Sequence, residues 1–551
     1  SSLSELVRTA PARRILLLLL ATAVAIYVGF LAFSPQRAQA VVHDYGYYLI
    51  AGTFGWLVFL LFKLGRKGQS ADPGLDSPAV PRRFPVRLWN WVSRPAVLAV
   101  AGTSALCVIA EKPREKILYD EQVIEATAMY MHHTRNVSTV VRGYDVNGVF
   151  LPMTHYLDKR PYFFALLLSL VHDVTGYRLA NAFALNAVLT VVTLSLLYVV
   201  ARRLSGSAGG ILAVLLFGTL PLLAQNTSGA GIEVLNLAMI LFCAWLGMLA
   251  MERPTETALG AFVLAVVLLT QVRYESALYV VSCALVVAGI WWRAGRILLP
   301  WPVVAAPLLL IPIPLLQLVL TANQVMWQLP ENLDSRFGVI HLGENLGHAV
   351  RFLASFSREH PNSPLLVLLG VAGALGCGWA VVRRPANLAG SPARWVAASF
   401  ALIILGNFGL LMLYFWGALD DPMVSRLALP LYLLLACCAV VGLGHLDRFR
   451  PATRWGIAAT LAAIPLTYGR ATPLQLYTSQ NLVAAELRWE LDWIAARGPG
   501  SRLVITNKSS LPWMLRKDPA LLISNVRDHH TQVGFHLREG TFTESLVMQR
   551  L

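Results

Sequence analysis

The sequence is poor in charged residues. Asp, Glu, Lys and Arg make up 14% of its 551 residues, against about 25% in an ordinary soluble domain. Hydrophobic residues reach 56%, and the mean hydropathy is +0.59. These values exclude a disordered chain, a collagen-like chain and a single soluble globular domain.

Signatures of several protein classes are also missing. The sequence contains no Gly-x-x-x-x-Gly-Lys-Ser/Thr loop and no His-Glu-x-x-His helix, so an ATP-driven pump or a membrane metalloprotease has no support. Its six cysteines all fall in apolar segments without metal-ligand spacing, which argues against disulfides and thiolate zinc sites. No internal repeat is evident, and this weakens the case for a secondary transporter.

What the sequence does contain is a long series of apolar runs. Runs of about 17 to 25 residues, the length of transmembrane helices, recur through residues 15–468. Lys and Arg cluster in every second loop, so the positive-inside rule predicts about thirteen spans and a cytoplasmic amino terminus. The net charge of +15 arises from these short loops and needs no nucleic acid partner. A signal peptide is the alternative for the first run, 15–33, but that run is longer than a typical signal core.

The span pattern divides the chain into three parts. Residues 1–94 are predicted to form a transmembrane hairpin, connected outside by 35–45, and a basic cytoplasmic loop. Residues 95–468 form the main transmembrane module, which carries a large external loop at 111–177. An odd number of spans places residues 469–551 outside the membrane.

The tail is less hydrophobic than the rest of the chain. A helical pattern covers residues 484–496, and short strand-like runs occur at 503–506, 520–523 and 545–551. The predicted fold is therefore an α-helical polytopic membrane protein with a small extracytoplasmic α/β domain at its carboxyl end.

The first external loop begins with a pair of acidic residues, Asp120 and Glu121, which follow Tyr119. The pattern over 120–131 predicts a short amphipathic helix along the membrane surface. Adjacent carboxylates at a membrane boundary are costly to desolvate, and their uses are general base catalysis or metal binding. Helix capping by Asp120 is an equally good interpretation from the sequence.

A second motif follows about 35 residues later, where Asp158, Lys159, Arg160 and Pro161 precede an aromatic run and an apolar helix. The next span closes with Ala-Arg-Arg-Leu at 201–204. Together these motifs resemble the GT-C superfamily of integral membrane glycosyltransferases, in particular the protein O-mannosyltransferase and lipid A aminoarabinose transferase group. The usual family form is Lys-Pro-Pro, and Arg160 adds a cation to it. The resemblance covers roughly residues 95–445.

The resemblance implies roles for the first two motifs. Asp120 is the expected base that activates an acceptor hydroxyl, and Lys159 is expected to hold the phosphate of a polyprenyl-phosphate sugar. Chemistry supports both roles, because the attacking hydroxyl must lose a proton and the departing phosphate gains charge. Lys159 and Arg160 together suit a phosphate, although anchoring to lipid headgroups is an alternative use.

Two further arginines match positions of the family. Arg273 lies where residues 258–292 must divide into two spans joined by an external turn, and the family uses an arginine there for the donor phosphate. An ion pair between Arg273 and Glu275 is the alternative. Arg426 precedes a Leu-Pro-containing span and would face the same cavity, although Leu427 replaces the usual aromatic.

The remaining candidates are assigned to positioning. Glu121 is placed with Asp120 in the catalytic group, and the residues assigned to substrate positioning are Asp158, Tyr119, Glu275, Asp420 and Asp421. The loop 320–348 is either a lid or a passive connector. No metal is obligatory, because a single donor phosphate can be neutralised by the basic residues. Mg²⁺ or Mn²⁺ on the paired acids is a less favoured alternative.

The function indicated by the sequence is an inverting glycosyltransferase. It would move a sugar from a polyprenyl-phosphate donor, such as a decaprenyl or undecaprenyl phosphate sugar, to a cell-envelope glycan or glycolipid. The active site would face the periplasmic side of a bacterial cytoplasmic membrane, with the amino terminus inside and the carboxyl terminus outside. The alternatives are a protein acceptor, a flippase or transporter for the lipid-linked sugar, and a non-catalytic envelope scaffold.

Overall fold

A computed structural model describes residues 12–69, 94–116, 119–146, 149–322, 335–356, 360–383, 390–444, 482–497, 502–507 and 509–549. Most of these residues are helical. The helices are α1 (Ala12–Phe30), α2 (Pro35–Gln69), α3 (Pro95–Ile109), α4 (Asp120–Thr134), α5 (Phe163–Thr175), α6 (Ala180–Gly218), α7 (Pro221–Thr227), α8 (Glu233–Glu252), α9 (Glu256–Leu269), α10 (Tyr279–Ala294), α11 (Trp301–Leu309), α12 (Pro312–Ala322), α13 (Leu342–Ala354), α14 (Pro364–Arg383), α15 (Pro392–Met412), α16 (Pro422–Ser425), α17 (Leu429–Gly442), α18 (Leu482–Ala495), α19 (Leu511–Met514), α20 (Ile523–Val526) and α21 (His530–Arg538).

Within the described residues, nine helical segments are long and apolar enough to cross a membrane. Three shorter apolar helices, α3, α5 and α9, accompany them. The predicted α-helical polytopic fold is confirmed. The number of about thirteen spans stays a prediction, because the last predicted span falls in 445–481, outside the described residues. Most of the predicted basic loop, 70–93, lies outside them as well.

Two helices differ from the predicted span boundaries. The segment 35–45 is helical instead of an irregular connector, because α2 begins at Pro35; its external placement stays a prediction. Proline is well tolerated in the first turn of a helix, and Ala38 and Val42 are buried in the core, which favours the longer helix. Helix α6 breaks just beyond its predicted end at 201–204, where Gly206 has a φ of 77°, a conformation that glycine adopts without strain.

The first external loop contains α4 and a β-hairpin. Helix α4 starts at Asp120, as the sequence predicts, and the antiparallel strands β1 (Thr139–Val146) and β2 (Val149–Tyr156) follow it. The hydroxyls of Thr127 and Thr139 lie 2.6 Å apart, which ties the helix to the hairpin. The loop therefore presents the start of α4 on a packed support.

The described part of the tail contains the predicted helix and three short strands. Strands β3 (Arg502–Thr506), β4 (Ala520–Leu522) and β5 (Glu544–Met548) form a parallel sheet in the order β4-β3-β5. The segment around α19 contacts the first loop, since the Tyr177 hydroxyl donates to the Leu515 carbonyl at 2.7 Å. The domain boundaries at 94/95 and 468/469 stay predictions.

Candidate active site

Asp120 is the first residue of α4, and its carboxylate is held between two arginines. Oδ1 accepts from Nη2 of Arg160, and Oδ2 accepts from Nη2 of Arg426. The preceding Tyr119 occupies the N-cap position with a φ of 72°, which is unusual for a residue with a side chain. Because both carboxylate oxygens face guanidinium groups, the capping interpretation of Asp120 does not fit its contacts.

The two arginines belong to an alternating series of charges. Nη1 of Arg160 donates to Asp158 at 2.7 Å, and Nη1 of Arg426 lies 3.0 Å from Oε1 of Glu233. Nη1 of Arg273 reaches the same Glu233 oxygen at 3.0 Å, and its Nε donates to Glu275. We call this series the arginine–carboxylate chain; its members in order are Asp158, Arg160, Asp120, Arg426, Glu233, Arg273 and Glu275.

The members of the chain come from loops that are distant in sequence. Arg160 lies between β2 and α5, Arg273 follows α9, and Arg426 follows α16. A backbone hydrogen bond from Phe163 to Gln271, at 3.0 Å, joins two of these loops. The Asp120 side chain is 26% exposed, whereas those of Arg160 and Arg426 are 10% and 11% exposed. Asp120 is thus the member of this trio that is most open to a substrate.

The charges around Asp120 determine its ionisation. Burial raises the pKa of Asp120, but the Arg160 and Arg426 guanidinium groups outweigh burial and hold that pKa below its ordinary value. Burial, followed by the charge of Arg160, lowers the pKa of Lys159. The resting site therefore holds an ionised carboxylate among cations.

Glu121, the next residue, lies in a different environment. It is 3% exposed, and its Oε2 accepts from the Lys116 backbone N–H at 2.5 Å. Burial raises the pKa of Glu121 to about 8; the Lys116 N–H works against this rise, and the charges of Glu233 and Glu115 add to it. The catalytic role assigned to Glu121 stays a prediction that these contacts do not support.

Glu125 lies one helical turn beyond Glu121 on α4. It is 1% exposed, and among the described residues neither of its carboxylate oxygens has a hydrogen-bond partner. Burial and then the charges of Glu115 and Glu121 raise the pKa of Glu125 well above its ordinary value. Burial thus favours the neutral, protonated form of both Glu121 and Glu125.

The other predicted residues lie at varying distances from this centre. The Tyr119 side chain is exposed; its ring centroid lies 5.9 Å from the Arg160 guanidinium carbon, and its hydroxyl is 3.4 Å from that of Tyr156. Asp421 caps α16, because its Oδ1 accepts from the Met423 N–H at 2.7 Å. Positioning roles for Tyr119 and Asp421 stay predictions.

Asp420 and the predicted lid belong together. Asp420 contacts His348 Nδ1 at 2.7 Å and Arg351 Nη1 at 2.6 Å, and both partners lie on α13. Much of the lid loop, 323–334, lies outside the described residues. In the part that the structure describes, no group of three or more His, Cys, Asp or Glu side chains could hold a metal ion.

Glu233 is the member of the arginine–carboxylate chain that the sequence analysis missed. The signal that could reveal it is an acidic residue at the start of an apolar run, two residues after the Gly-Ala-Gly sequence at 229–231. A Cβ atom on Gly231 would lie 2.2 Å from Glu233 Oε2. Glycine at this position therefore leaves room for the carboxylate.

The site thus lies in a multi-pass helical membrane protein and centres on a partly exposed carboxylate held between two guanidinium groups. Residues 159–317 match the family model described as dolichyl-phosphate-mannose-protein mannosyltransferase. This segment includes Lys159, Arg160, Glu233 and Arg273. Over this part of the chain the sequence is similar to that family of membrane glycosyltransferases, in agreement with the resemblance carried by the sequence motifs.

Solved structures of glycosyltransferases are similar to this chain at low sequence identity. ArnT from Cupriavidus metallidurans bound to undecaprenyl phosphate is 16% identical over 79% of this chain and 86% of its own, with a TM-score of 0.46. The Archaeoglobus fulgidus oligosaccharyltransferase is 12% identical over 69% of this chain, with a TM-score of 0.44, and the match spans 53% of its own length. Arabinosyltransferase EmbB from Mycobacterium smegmatis is 14% identical over 77% of this chain and 44% of its own, with a TM-score of 0.35. No curated protein sequence matches the chain.

Proposed function

We propose that the protein is an inverting glycosyltransferase that uses a polyprenyl-phosphate-linked sugar and an envelope glycan or glycolipid acceptor. The reaction would take place on the periplasmic face of a bacterial cytoplasmic membrane. The observation that carries the proposal is the placement of Asp120, a partly exposed carboxylate held directly by Arg160 and Arg426. A base and a set of cations within one hydrogen-bonded group are what glycosyl transfer from a phosphate requires.

In the proposed reaction the acceptor hydroxyl attacks the anomeric carbon of the donor sugar. A bond forms between the acceptor oxygen and that carbon, and the bond from the carbon to the phosphate oxygen breaks with its electron pair leaving on the phosphate. The hydroxyl proton passes to Asp120. Lys159, Arg160, Arg273 and Arg426 would stabilise the phosphate as it gains negative charge.

The ion pairs suggest how the base and the phosphate site are coupled. While Asp120 is bound by both arginines, its lowered pKa makes it a weak base. A donor phosphate that attracts the same guanidinium groups would weaken their hold and raise the basicity of Asp120. When Asp120 then accepts the proton, it loses its own charge as the phosphate gains a second one. Arg160 and Arg426 can thus stop stabilising the charge of the base and stabilise the charge of the leaving phosphate instead.

Other residues would support these roles. Asp158 orients Arg160 through its side chain and also accepts from the Arg160 backbone N–H at 2.9 Å. Glu275 would orient Arg273 in the same way. The exposed ring of Tyr119, directly before Asp120, is available to contact the acceptor.

A transfer assay tests the proposal. The purified protein in lipid nanodiscs would be given a panel of radiolabelled polyprenyl-phosphate sugars and envelope material, and compared with Asp120→Asn, which keeps the shape of the side chain but cannot act as a base. Transfer by the wild type and its loss in the variant are expected. Lipid extraction and protease digestion of the product would separate a glycolipid or glycan acceptor from a protein.

A different result would point to the main alternative. If neither protein transfers sugar and both move the lipid-linked sugar across liposomes at equal rates, the glycosyltransferase proposal fails and a flippase becomes the working hypothesis. The purely structural scaffold would show neither activity.

A further inference from the structure

One carboxylate oxygen of the site accepts from two of the proposed phosphate ligands. Oε1 of Glu233 lies 3.0 Å from Nη1 of Arg273 and 3.0 Å from Nη1 of Arg426. The Glu233 side chain is 3% exposed, so it is far less open to substrate than Asp120. Glu233 therefore contacts the two guanidinium groups on their buried side.

The turn before α8 is built around this carboxylate. Besides the close approach of Gly231 to Glu233, a Cβ atom on Gly229 would lie 2.6 Å from Glu121 Oε1. The Asn186 side-chain amide donates to the carbonyls of Gly229, at 2.8 Å, and Gly231, at 2.9 Å. A larger residue at Gly231 would displace Glu233, and one at Gly229 would displace Glu121, so the glycines of this turn leave room for two buried acids.

Helix α8 is also tied to the turn that carries Arg273. The Ser276 hydroxyl donates to the Asn236 side chain at 2.9 Å, and both residues are buried. Asn236 lies less than one helical turn after Glu233. The distance between Glu233 and Arg273 is thus maintained by a second, uncharged contact, which makes the pair a stable part of the site.

The charges of the chain determine what Glu233 can do for the reaction. A buried guanidinium without a counter-ion is costly, and two of them side by side also repel each other. A carboxylate behind both would hold them at a fixed separation and reduce the positive potential that they present to a phosphate. A site without it would hold the doubly charged lipid phosphate product more tightly.

We propose that Glu233 is a positioning residue that aligns Arg273 and Arg426 toward the donor phosphate and weakens the site's hold on the polyprenyl phosphate product. The inference rests on the proposed function, since it assigns Glu233 a part in that reaction. It extends the function by adding product release to the roles of the arginine–carboxylate chain.

The experiment compares Glu233→Gln with a matched control on the same helix. Glu252→Gln alters the last residue of α8, whose carboxylate lies 3.4 Å from Arg203, remote from the site in sequence. Binding of undecaprenyl phosphate in nanodiscs and the steady-state kinetics of transfer are measured for both. Glu233→Gln should lower the Kd for undecaprenyl phosphate about tenfold, roughly the effect of 1.4 kcal/mol, while kcat and the donor KM both fall. Glu252→Gln should behave as wild type.

Two more variants separate charge from position. Gly231→Ala displaces the carboxylate without removing it, so kcat should fall without tighter binding of undecaprenyl phosphate. Glu233→Asp keeps the charge and serves where Glu233→Gln does not fold, as judged by thermal unfolding; its phosphate Kd should stay near that of wild type while kcat falls.

The outcomes distinguish this inference from the proposed function. Unchanged or weaker phosphate binding by folded Glu233→Gln would overturn the role of Glu233 even if the wild type transfers sugar. For Glu233→Asp, tighter phosphate binding would overturn it. Failure of the wild type to transfer any sugar would instead defeat the proposed function, and the binding measurements would still decide whether Glu233 restrains the phosphate site.

Discussion

Asp120 and Glu121 are neighbours in sequence with opposite environments. Asp120 faces two guanidinium groups, and its pKa lies below the ordinary value in spite of burial. Glu121 faces the interior, where burial raises its pKa to about 8. Successive residues of a helix point about 100° apart, so a single position separates a paired charge from a buried acid. An acidic pair in a loop therefore need not act as a pair.

The same contrast extends to the regions behind the two residues. The arginine–carboxylate chain alternates charges and is partly exposed at Asp120 and at Glu275. On the other side of α4, Glu115, Glu121 and Glu125 lie near one another. The backbone N–H and the charge of Lys116 both act on Glu121. The first region is suited to chemistry that moves charge, whereas in the second region burial favours the neutral form of Glu121 and Glu125.

The largest expected effect is on transfer by variants of the adjacent acids. Asp120→Asn should lower the rate about 10²- to 10⁴-fold, the contribution of a general base, whereas Glu121→Gln should change it by less than about threefold. Initial rates at saturating donor measure both. Equal losses in the two variants would show that the acids act together and would remove the contrast between them.

Most residues of the arginine–carboxylate chain can be picked out from the sequence, but of the ion pairs among them only that of Arg273 and Glu275 can. Asp120, Arg160 and Arg426 stand at the ends of apolar runs, where charges are costly and motif positions are informative. Glu233 is not predicted from the sequence, because its contacts with Arg273 and Arg426 depend on tertiary packing. Spacing along the chain carries no information about such contacts. Burial of Glu121 is likewise a tertiary property.

The fold shows a similar division. Long apolar runs predict helices well, since hydrophobic length is a strong local signal. The hairpin of β1 and β2 is missed, because a register shift near Arg142 and the glycine and proline within its strands weaken the alternating pattern. The start of α2 at Pro35 is missed because polar residues of its first turns resemble a loop.

The second largest effect is expected on the transfer rate of Arg426→Lys, which lacks the forked guanidinium group of the arginine. Its Nη2 and Nη1 atoms bridge Asp120 and Glu233, which a lysine cannot do with a single ammonium group. Arg426→Lys should lower the rate about 10- to 100-fold, in line with about 1.5 to 3 kcal/mol for a hydrogen bond to a charged group. Arg351→Lys is the control, because Arg351 is 63% exposed; an equal loss there would show that the fork carries no special weight.

A smaller effect is expected on stability as a function of pH. Glu121 has a pKa of about 8 in the folded protein and about 4.3 when unfolded. It supports the folded state fully below the unfolded pKa, and this support is lost as pH rises through the folded pKa. Glu121→Gln should therefore gain stability relative to wild type between pH 5 and pH 8, by a few degrees in the unfolding midpoint. If the difference in unfolding midpoint between the variant and wild type were constant over that range, Glu121 would be ionised in the folded protein.

The smallest effect on transfer is expected at a second pair of adjacent acids, Asp420 and Asp421. This pair tests whether neighbouring acids differ in environment in general, as Asp120 and Glu121 do. Asp420 pairs with His348 and Arg351 on α13, and Asp421 caps α16. Burial raises the pKa of Asp420, but His348 and Arg351 outweigh burial and lower it, much as two arginines do for Asp120. Its partner Arg351 is largely exposed, however, and such pairs contribute about 0 to 1 kcal/mol.

Asp420→Asn should accordingly reduce transfer about two- to fivefold, by loosening α13 near the turn that carries Arg426. Asp421→Ala should instead lower stability by about 1 kcal/mol, the usual cost of losing an N-cap. Rates and unfolding midpoints measured on both variants decide the point. A loss for Asp420→Asn as large as that for Asp120→Asn would mean that α13 enters the chemistry directly, because an exposed ion pair alone cannot supply so much energy.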